Sequence, residues 1–480
     1  MSKTRTRFAP SPTGYMHIGN LRTALYEYLV AKKDGGDFLL RIEDTDQQRY
    51  VEGATDIIYD TMKTVGLLHD EGPDKPGDCG PYIQSERLPI YAEYGKKLVE
   101  LGGAHYCFCD MNDIEKQKTE ANEDGKVYKF QDPCRFLTKE EVQAKLDAGV
   151  PYVIRQTINP LGKTKFHDEV YGDIEVDNDT LDEGVLIKSD GYPTYNFANV
   201  VDDHLMRITH VVRGNEYLSS TPKYNLIYEA FGWEIPTYIH VAPVMKDEQH
   251  KLSKRNGDAS FQDLVSKGYL PEAILNYIAL LGWSPETDQE IYSLDELIKA
   301  FSVERLHSTP AIFDIDKLTW MNGIYLRNKT LDEFYELAKP YLKDVKEDLD
   351  LKEICAILQP RVATLTEIVE MVDFFNELPE YDNELYVNKK MKTNVEIALQ
   401  SLKLSKDLLS NMTDWSQEKI HDELMDLAKR EGLKNGQLLF PLRVALTGKK
   451  FTPGGAIEIA HILGKEETLN RIEKGIDQLS

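Results

Sequence analysis

The chain has 480 residues, 41% hydrophobic and 29% charged, a soluble globular balance with room for three domains or more, since single cores seldom exceed about 250–300 residues. Asp and Glu outnumber Lys and Arg by 81 to 57, a formal net charge of −24, which argues against a general nucleic-acid binder and confines any such partner to a local basic face. No apolar run of about 18 residues suits a membrane helix, the five cysteines are few for a chain of this length, and a motif that begins at Arg7 leaves no room for a leader, so the cytoplasm is the expected compartment.

Residues 7–20 read RFAPSPTGYMHIGN: a β-type opening, a Pro/Gly turn, then a helix with a histidine at its start. Leu21, Ala24, Leu25, Tyr28 and Leu29 fall at i, i+3, i+4, i+7 and i+8, one face of a helix. After the turn Asp34-Gly35-Gly36, the run from Phe38 to Ile42 reads as a strand. Strand, helix and strand at this length predict a βαβ unit in a parallel sheet, with ligand at the strands' carboxyl ends. Arg7 to Ala9, Glu43 and Arg213 sit at or just past such ends, and the later strands are expected at 208–212 and 238–244. Between about 90 and 193 short strands, turns such as Asn159-Pro160-Leu161-Gly162 and a charged helix near 112–126 replace the alternation, which reads as an insertion. Residues 251–255 read KLSKR in a Gly/Asn-rich loop. Beyond about 327 the chain reads as helical, with amphipathic stretches at 395–409 and 418–433. His17 stands where a helix N-terminus can meet a phosphate, and Lys251 and Lys254 supply cations for charge developing on a breaking triphosphate.

HIGN at 17–20 and KLSKR at 251–255 resemble the HIGH and KMSKS motifs of class I aminoacyl-tRNA synthetases. RFAPSPTG at 7–14, LLRIEDTD at 39–46, YIQSERLPIY at 82–91, PTYNFANVVDDHLM at 193–206 and THVVRGNEYLSSTP at 209–222 narrow the likeness to bacterial-type glutamyl-tRNA synthetases. It runs on through GYLPEAILNYIALLGWSP at 268–285, FDIDKLTWMNGIYLR at 313–327 and LLFPLRVALTGKKFTPG at 438–454. Asn20 at the fourth HIGH position and Leu252 for the KMSKS methionine are the departures, the second nearly isosteric.

The resemblance implies an α/β fold, a class I Rossmann-type catalytic domain (1–89 and 194–245) split by an α+β insertion (90–193) that binds the tRNA acceptor end. A KLSKR loop and stem-contact region (246–326) and an all-α anticodon-binding region (327–480, with a further division left open near 380) would follow. It implies a monomer that uses ATP and Mg²⁺ to activate glutamate as glutamyl-adenylate and transfers it to the terminal adenosine of tRNA(Glu), activation requiring bound tRNA. Both attacking oxygens then come from substrates, so positioning and electrostatics replace a protein nucleophile. His17, Gly19, Asn20, Lys251, Ser253 and Lys254 would hold ATP, with His17, Lys251 and Lys254 acting on its phosphates. Arg7 would pair with the glutamate side chain, as a guanidinium separates carboxylate from amide, and Tyr195 and Asn199 would complete its pocket. Ala9 and Ser11 would line it, Glu43 would take the α-ammonium and Arg213 would lie near the substrate carboxylates.

Cys107, Cys109 and Cys134 resemble the zinc site of some members of this family, but Phe130 and Phe136 stand where those carry tyrosine and histidine. Three thiolates leave a tetrahedral site one ligand short; Tyr128 or His105 could substitute off the family spacing, and the expected reading is a remnant of a lost site, with bound zinc as the alternative. The competing functions are a glutaminyl-tRNA synthetase, whose anticodon region is built from β-barrels, a small-molecule nucleotidylyltransferase, and an inactive tRNA-binding paralogue. Whether tRNA(Gln) is also charged is not written in one sequence.

Overall fold

The computed structural model describes residues 3–46, 49, 51–110, 112, 114, 115, 119, 130, 132–252, 260–346 and 348–480. Ser253 and Lys254, Tyr128 and most of the charged helix expected near 112–126 lie outside these. The chain divides into two compact units, Met1–Leu264 with Ile274–Asp314, and Val265–Ala273 with Ile315–Ser480. Among the described residues no helix is long and apolar enough to cross a membrane.

In the first unit, β1 (Arg5–Phe8), α1 (Ile18–Lys33) and β2 (Asp37–Leu40) form the expected βαβ unit, the strands parallel with Arg5 opposite Asp37 and Phe8 opposite Leu40. Leu21, Ala24, Leu25 and Leu29 are fully buried. Gly14 takes a left-handed φ of 108° in the turn that leads into α1, a conformation that favours glycine. The second strand stops at Leu40, two residues short of the expected end: its partner β1 ends at Phe8, the Arg41 N–H donating to the Phe8 carbonyl at 2.9 Å is the last rung of their ladder, and Ile42 bridges Ile83 instead.

The inserted stretch builds an antiparallel sheet from β3 (Ala104–Cys107), β4 (Val153–Gln156) and β7 (Val185–Ile187), with β4 in the middle. Its other hairpin, β5 (Lys163–Asp168) and β6 (Gly172–Asp177), joins a different sheet. There the order is β6-β5-β9-β8, with β8 (His210–Gly214) and β9 (Thr237–Val241) parallel and β5 meeting β9 at Asp168 opposite Tyr238. Part of the segment read as an insertion thus extends the sheet of the nucleotide fold. The strand expected at 208–212 begins two residues later, since the preceding helix, Tyr195–Leu205, ends in a left-handed Arg207 (φ 57°) and its closing turn uses the Ile208 N–H, which donates to Asp203 O at 2.8 Å. β9 ends at Val241, just before Pro243, which has no N–H to continue a ladder. β1 is tied to the start of β8 by the Thr209 N–H donating to Arg5 O at 3.0 Å.

The second unit has no strand among its described residues. Its core gathers Phe374, Leu402, Leu424, Leu442 and Ile472 from successive helices. The expected stretches appear as Val395–Ser410 and Gln417–Arg430. The first is capped by Asn394, whose side chain accepts the Ile397 N–H at 2.8 Å. The second ends three residues early because Gly432 turns left-handed (φ 68°) and the Leu433 N–H closes on Ala428 O.

Candidate active site

The two motifs meet. His17 is the N-cap of α1, and its Nδ1 accepts the Gly19 N–H at 3.0 Å. That leaves the ring proton on Nε2, which donates to the carbonyl of Leu252, 235 residues on, at 3.1 Å. On the far side of the KLSKR loop Ser260 bridges His17, and the Phe261 N–H donates to Met16 O at 2.9 Å. A side chain at Gly19 would bring a Cβ to 3.1 Å from His17 Nδ1, so the cap itself calls for glycine there. The capping role and a phosphate-donating role use opposite edges of the ring, and the capping bond selects the tautomer that carries a proton outward.

A cleft of about 440 Å³ lies over these residues. Its walls include His17, Gly19, Asn20 and Lys251 together with Arg7, Ala9, Ser11, Glu43, Tyr195 and Arg213, so most of the expected site residues converge. Asn199 is not in the wall: it is buried, and its amide donates to Tyr195 O at 2.6 Å, one helical turn back. Ser253 and Lys254 lie outside the described residues. Arg22, Arg49 and Glu216 also line the cleft and were not read from the sequence. Arg22 could have been: a guanidinium inside the apolar stripe of α1 needs buried acceptors, and here it finds the carbonyls of Leu281 at 2.7 Å and of Ala242.

The two arginines expected to meet the amino acid are held in opposite ways. Arg7 Nε pairs with Asp203 Oδ1 at 2.9 Å and Nη1 with Glu27 Oε1 at 3.1 Å. Arg41 joins the same network, to Asp203 at 2.7 Å and Glu43 at 3.0 Å. Burial pushes the Asp203 carboxyl up, but the charges of Arg7 and Arg41 outweigh it and hold the group below its ordinary value. For Glu27 and Glu43 burial prevails, and both are raised. Arg213, in contrast, is buried with no carboxylate at ion-pair distance among the described residues. Its guanidinium lies over the rings of Tyr217, Tyr224 and Tyr238 at 5.4, 4.8 and 5.1 Å, which solvate the cation without neutralising it.

Away from the cleft, Cys107, Cys109 and Cys134 come together as the sequence suggested, and Asp132 completes a set of four whose donor atoms all lie within 4.8 Å of one another. Cys109 Sγ lies 3.6 Å from both Cys134 Sγ and Asp132 Oδ1. A tetrahedral zinc at about 2.3 Å from sulfur sets neighbouring donors about 3.7 Å apart, so the set fits zinc. The premise of a missing fourth ligand is therefore corrected: Asp132, two residues before Cys134, offers a fourth donor where Phe130 and Phe136 cannot. His105 is not a ligand but donates from Nε2 to Asp132 Oδ2 at 3.0 Å, beside Arg155 Nε at 3.3 Å, which is how outer groups orient a metal-binding carboxylate. Burial first, and then the Asp132 carboxylate, push the Cys107 thiol up to about 11, so an ion would have to displace its proton.

A βαβ nucleotide fold whose His17 cap touches the KLSKR loop defines a class I synthetase site, and comparison with known proteins agrees. The family described as tRNA synthetases class I (E and Q), catalytic domain, matches residues 3–320, and an anticodon binding domain matches 333–476. The chain belongs to this family. Relatives named glutamate–tRNA ligase from Clostridium acetobutylicum and Clostridium tetani are each 60% identical over the whole of this chain and over 99% and 98% of their own lengths. A glutamate–tRNA ligase from Elizabethkingia meningosepticum, crystallised with its amino acid, superposes over the full length of both chains with a TM-score of 0.91 at 36% identity.

Proposed function

We infer that this chain is a glutamate–tRNA ligase that activates glutamate with ATP and transfers it to the 3′ end of tRNA(Glu). The observation that carries the reading is Arg213, a buried cation in the same cleft as His17 and Lys251 with no carboxylate at ion-pair distance among the described residues. An α-amino acid supplies the missing anion, and Glu43, whose carboxyl pKa is raised by burial, takes the α-ammonium. Arg7 retains an Nη2 with no protein acceptor among the described residues and takes the side-chain carboxylate, an amide being a poorer partner for an N–H donor already fixed in place. His17 exchanges the Leu252 carbonyl for phosphate oxygens when the nucleotide binds. Lys251 and Lys254 stabilise charge on the departing pyrophosphate. Magnesium enters on the nucleotide, keeping phosphate and water as most of its ligands and requiring no protein cage.

Cys107, Cys109, Asp132 and Cys134 hold a structural zinc that fixes the loop after β3 and takes no part in the reaction. The enzyme acts as a cytoplasmic monomer, and its five unpaired cysteines are in keeping with that compartment. Activation waits for tRNA, which favours the productive arrangement of the KLSKR loop by binding it more tightly than the alternatives.

Glutamate-dependent ATP–pyrophosphate exchange tests the reading. Exchange should be negligible alone, appear with tRNA(Glu), and fall by about 10²–10³ in Lys254→Ala with little change in substrate affinity. No exchange and no charging under any condition would remove the assignment; full exchange without tRNA would remove only the coupling. Elemental analysis should find about one zinc per chain, lost in Cys109→Ser.

A further inference from the structure

Arg213 is held from behind by two residues that line no part of the cleft. Its Nε donates to His240 Nε2 at 3.0 Å, and Nη2 donates to Thr221 Oγ1 at 2.8 Å. An arginine has no lone pair to offer, so His240 Nε2 must be the acceptor and the imidazole proton must sit on Nδ1. That nitrogen lies 2.6 Å from Asp168 Oδ2, which also accepts the His240 backbone N–H at 3.0 Å. Asp168 Oδ1 is taken in turn by the N–H groups of Val170 and Tyr171 at 3.0 and 2.9 Å. Both His240 and Asp168 side chains are wholly buried. Burial and the adjacent Arg213 charge lower the His240 pKa although Asp168 raises it, consistent with a neutral ring.

The order of these groups matters electrostatically. Had the carboxylate touched the guanidinium directly, as Asp203 touches Arg7, it would have neutralised the charge that a substrate needs. A neutral imidazole placed between them passes on orientation without supplying a counter-ion. Nη1 is then the one nitrogen of Arg213 without a protein acceptor among the described residues.

We propose that Asp168 and His240 are positioning residues for amino-acid binding. Asp168 fixes the His240 tautomer, and His240 fixes the plane of Arg213 so that its remaining N–H groups meet the substrate carboxylate. The inference rests on the reading of Arg213 given above. It also assigns a part in amino-acid recognition to the β5–β6 hairpin, which supplies Asp168 from within the segment otherwise read as a tRNA-binding insertion.

The relay is tested by steady-state charging of tRNA(Glu), comparing KM for glutamate with KM for ATP. Asn at 168 is held by the two turn N–H groups with its oxygen toward them, so its NH₂ faces His240 Nδ1. The ring proton then moves to Nε2 and opposes Arg213, the wrong-tautomer effect known for buried carboxylate–histidine pairs. Asp168→Asn should raise the glutamate KM about tenfold or more, the scale of one lost charged hydrogen bond, with the ATP KM within about twofold. His240→Leu should do the same, and the double variant should be no worse than either alone, because the two act through one bond. His240→Gln, whose amide can donate to Asp168 and accept from Arg213, should stay within about threefold of the parent. A glutamate KM unchanged in Asp168→Asn and His240→Leu, while Arg213→Ala raises it, would overturn the relay and leave the Arg213 reading standing. An unchanged KM in Arg213→Ala would overturn both. Should Asp168→Asn not fold, as judged by thermal unfolding, the His240 pair decides: equal KM increases in His240→Gln and His240→Leu would overturn the proposal.

Discussion

The two units bury different things. In the first, Arg7, Arg41, Arg87, Glu27, Asp202, Asp203, Asp168 and Arg213 all lie beneath the surface, most of them under or behind the cleft. In the second, Arg471 is the one buried charged side chain among the described residues. It is used for packing: Nη1 donates to Phe374 O and Leu446 O, both at 2.7 Å, near the ends of two helices where a cation is favoured. The other buried side chains of that unit are apolar or uncharged, Asn322, Ser401, Ser405, Thr447 and Thr468 among the latter. A helical bundle needs only its apolar stripe to fold, whereas a site that must fix charged substrates needs charges held without water. Those are costly to bury unless every one is paired or reserved for a ligand.

The comparison can be broken most severely at Arg41. Arg41→Met removes the cation shared by Asp203 and Glu43 and should destabilise the first unit by about 3–5 kcal/mol, read from its denaturant transition. A loss under about 1 kcal/mol would mean that the network does not hold the unit together. The same difference should depend on pH. Asp203 has a folded pKa below its unfolded value, so the stability that it contributes is present above about pH 4 and is lost as pH falls through the folded pKa. The gap between parent and Arg41→Met should therefore narrow as pH falls below the ordinary carboxylate range, and a gap that stays constant down to about pH 2 would contradict this. In the second unit, Leu402→Ala should cost about 2–5 kcal/mol through a cavity, with the glutamate KM of the folded enzyme unchanged. Smallest is Asn394→Ala, which removes the cap of helix Val395–Ser410 and should cost about 1 kcal/mol; no change in that transition would show the cap to be redundant.

Legibility in the sequence followed the same division. The βαβ unit and the helices of the second unit were readable because their apolar spacing is local and nothing distant overrides it. Two of the element ends that moved did so where a left-handed residue, Arg207 or Gly432, closed a helix at a point that periodicity does not mark. In the site, His17, Lys251, Arg7, Glu43 and Arg213 were readable from motifs. Their partners Glu27 and Asp203 were not, because pairing across 20 and 196 residues leaves no local pattern. Asp132 was missed because it stands on neither of the positions at which the family likeness places a ligand. His240 and Asp168 carry no motif at all, and only the sheet order brings them together.

That sheet order also decides how the gene can be recombined. Strand β5 hydrogen-bonds within the nucleotide fold, so the stretch from 90 to 193 is not a cassette with two clean joints. A chimera that exchanges the whole stretch exchanges Asp168 with it, and under the positioning role proposed for that residue amino-acid affinity changes too. Splice points at the chain entering β5 near 157–162 and leaving β6 near 178–184 would instead keep the hairpin with its host, and make the rest of the stretch the portable part.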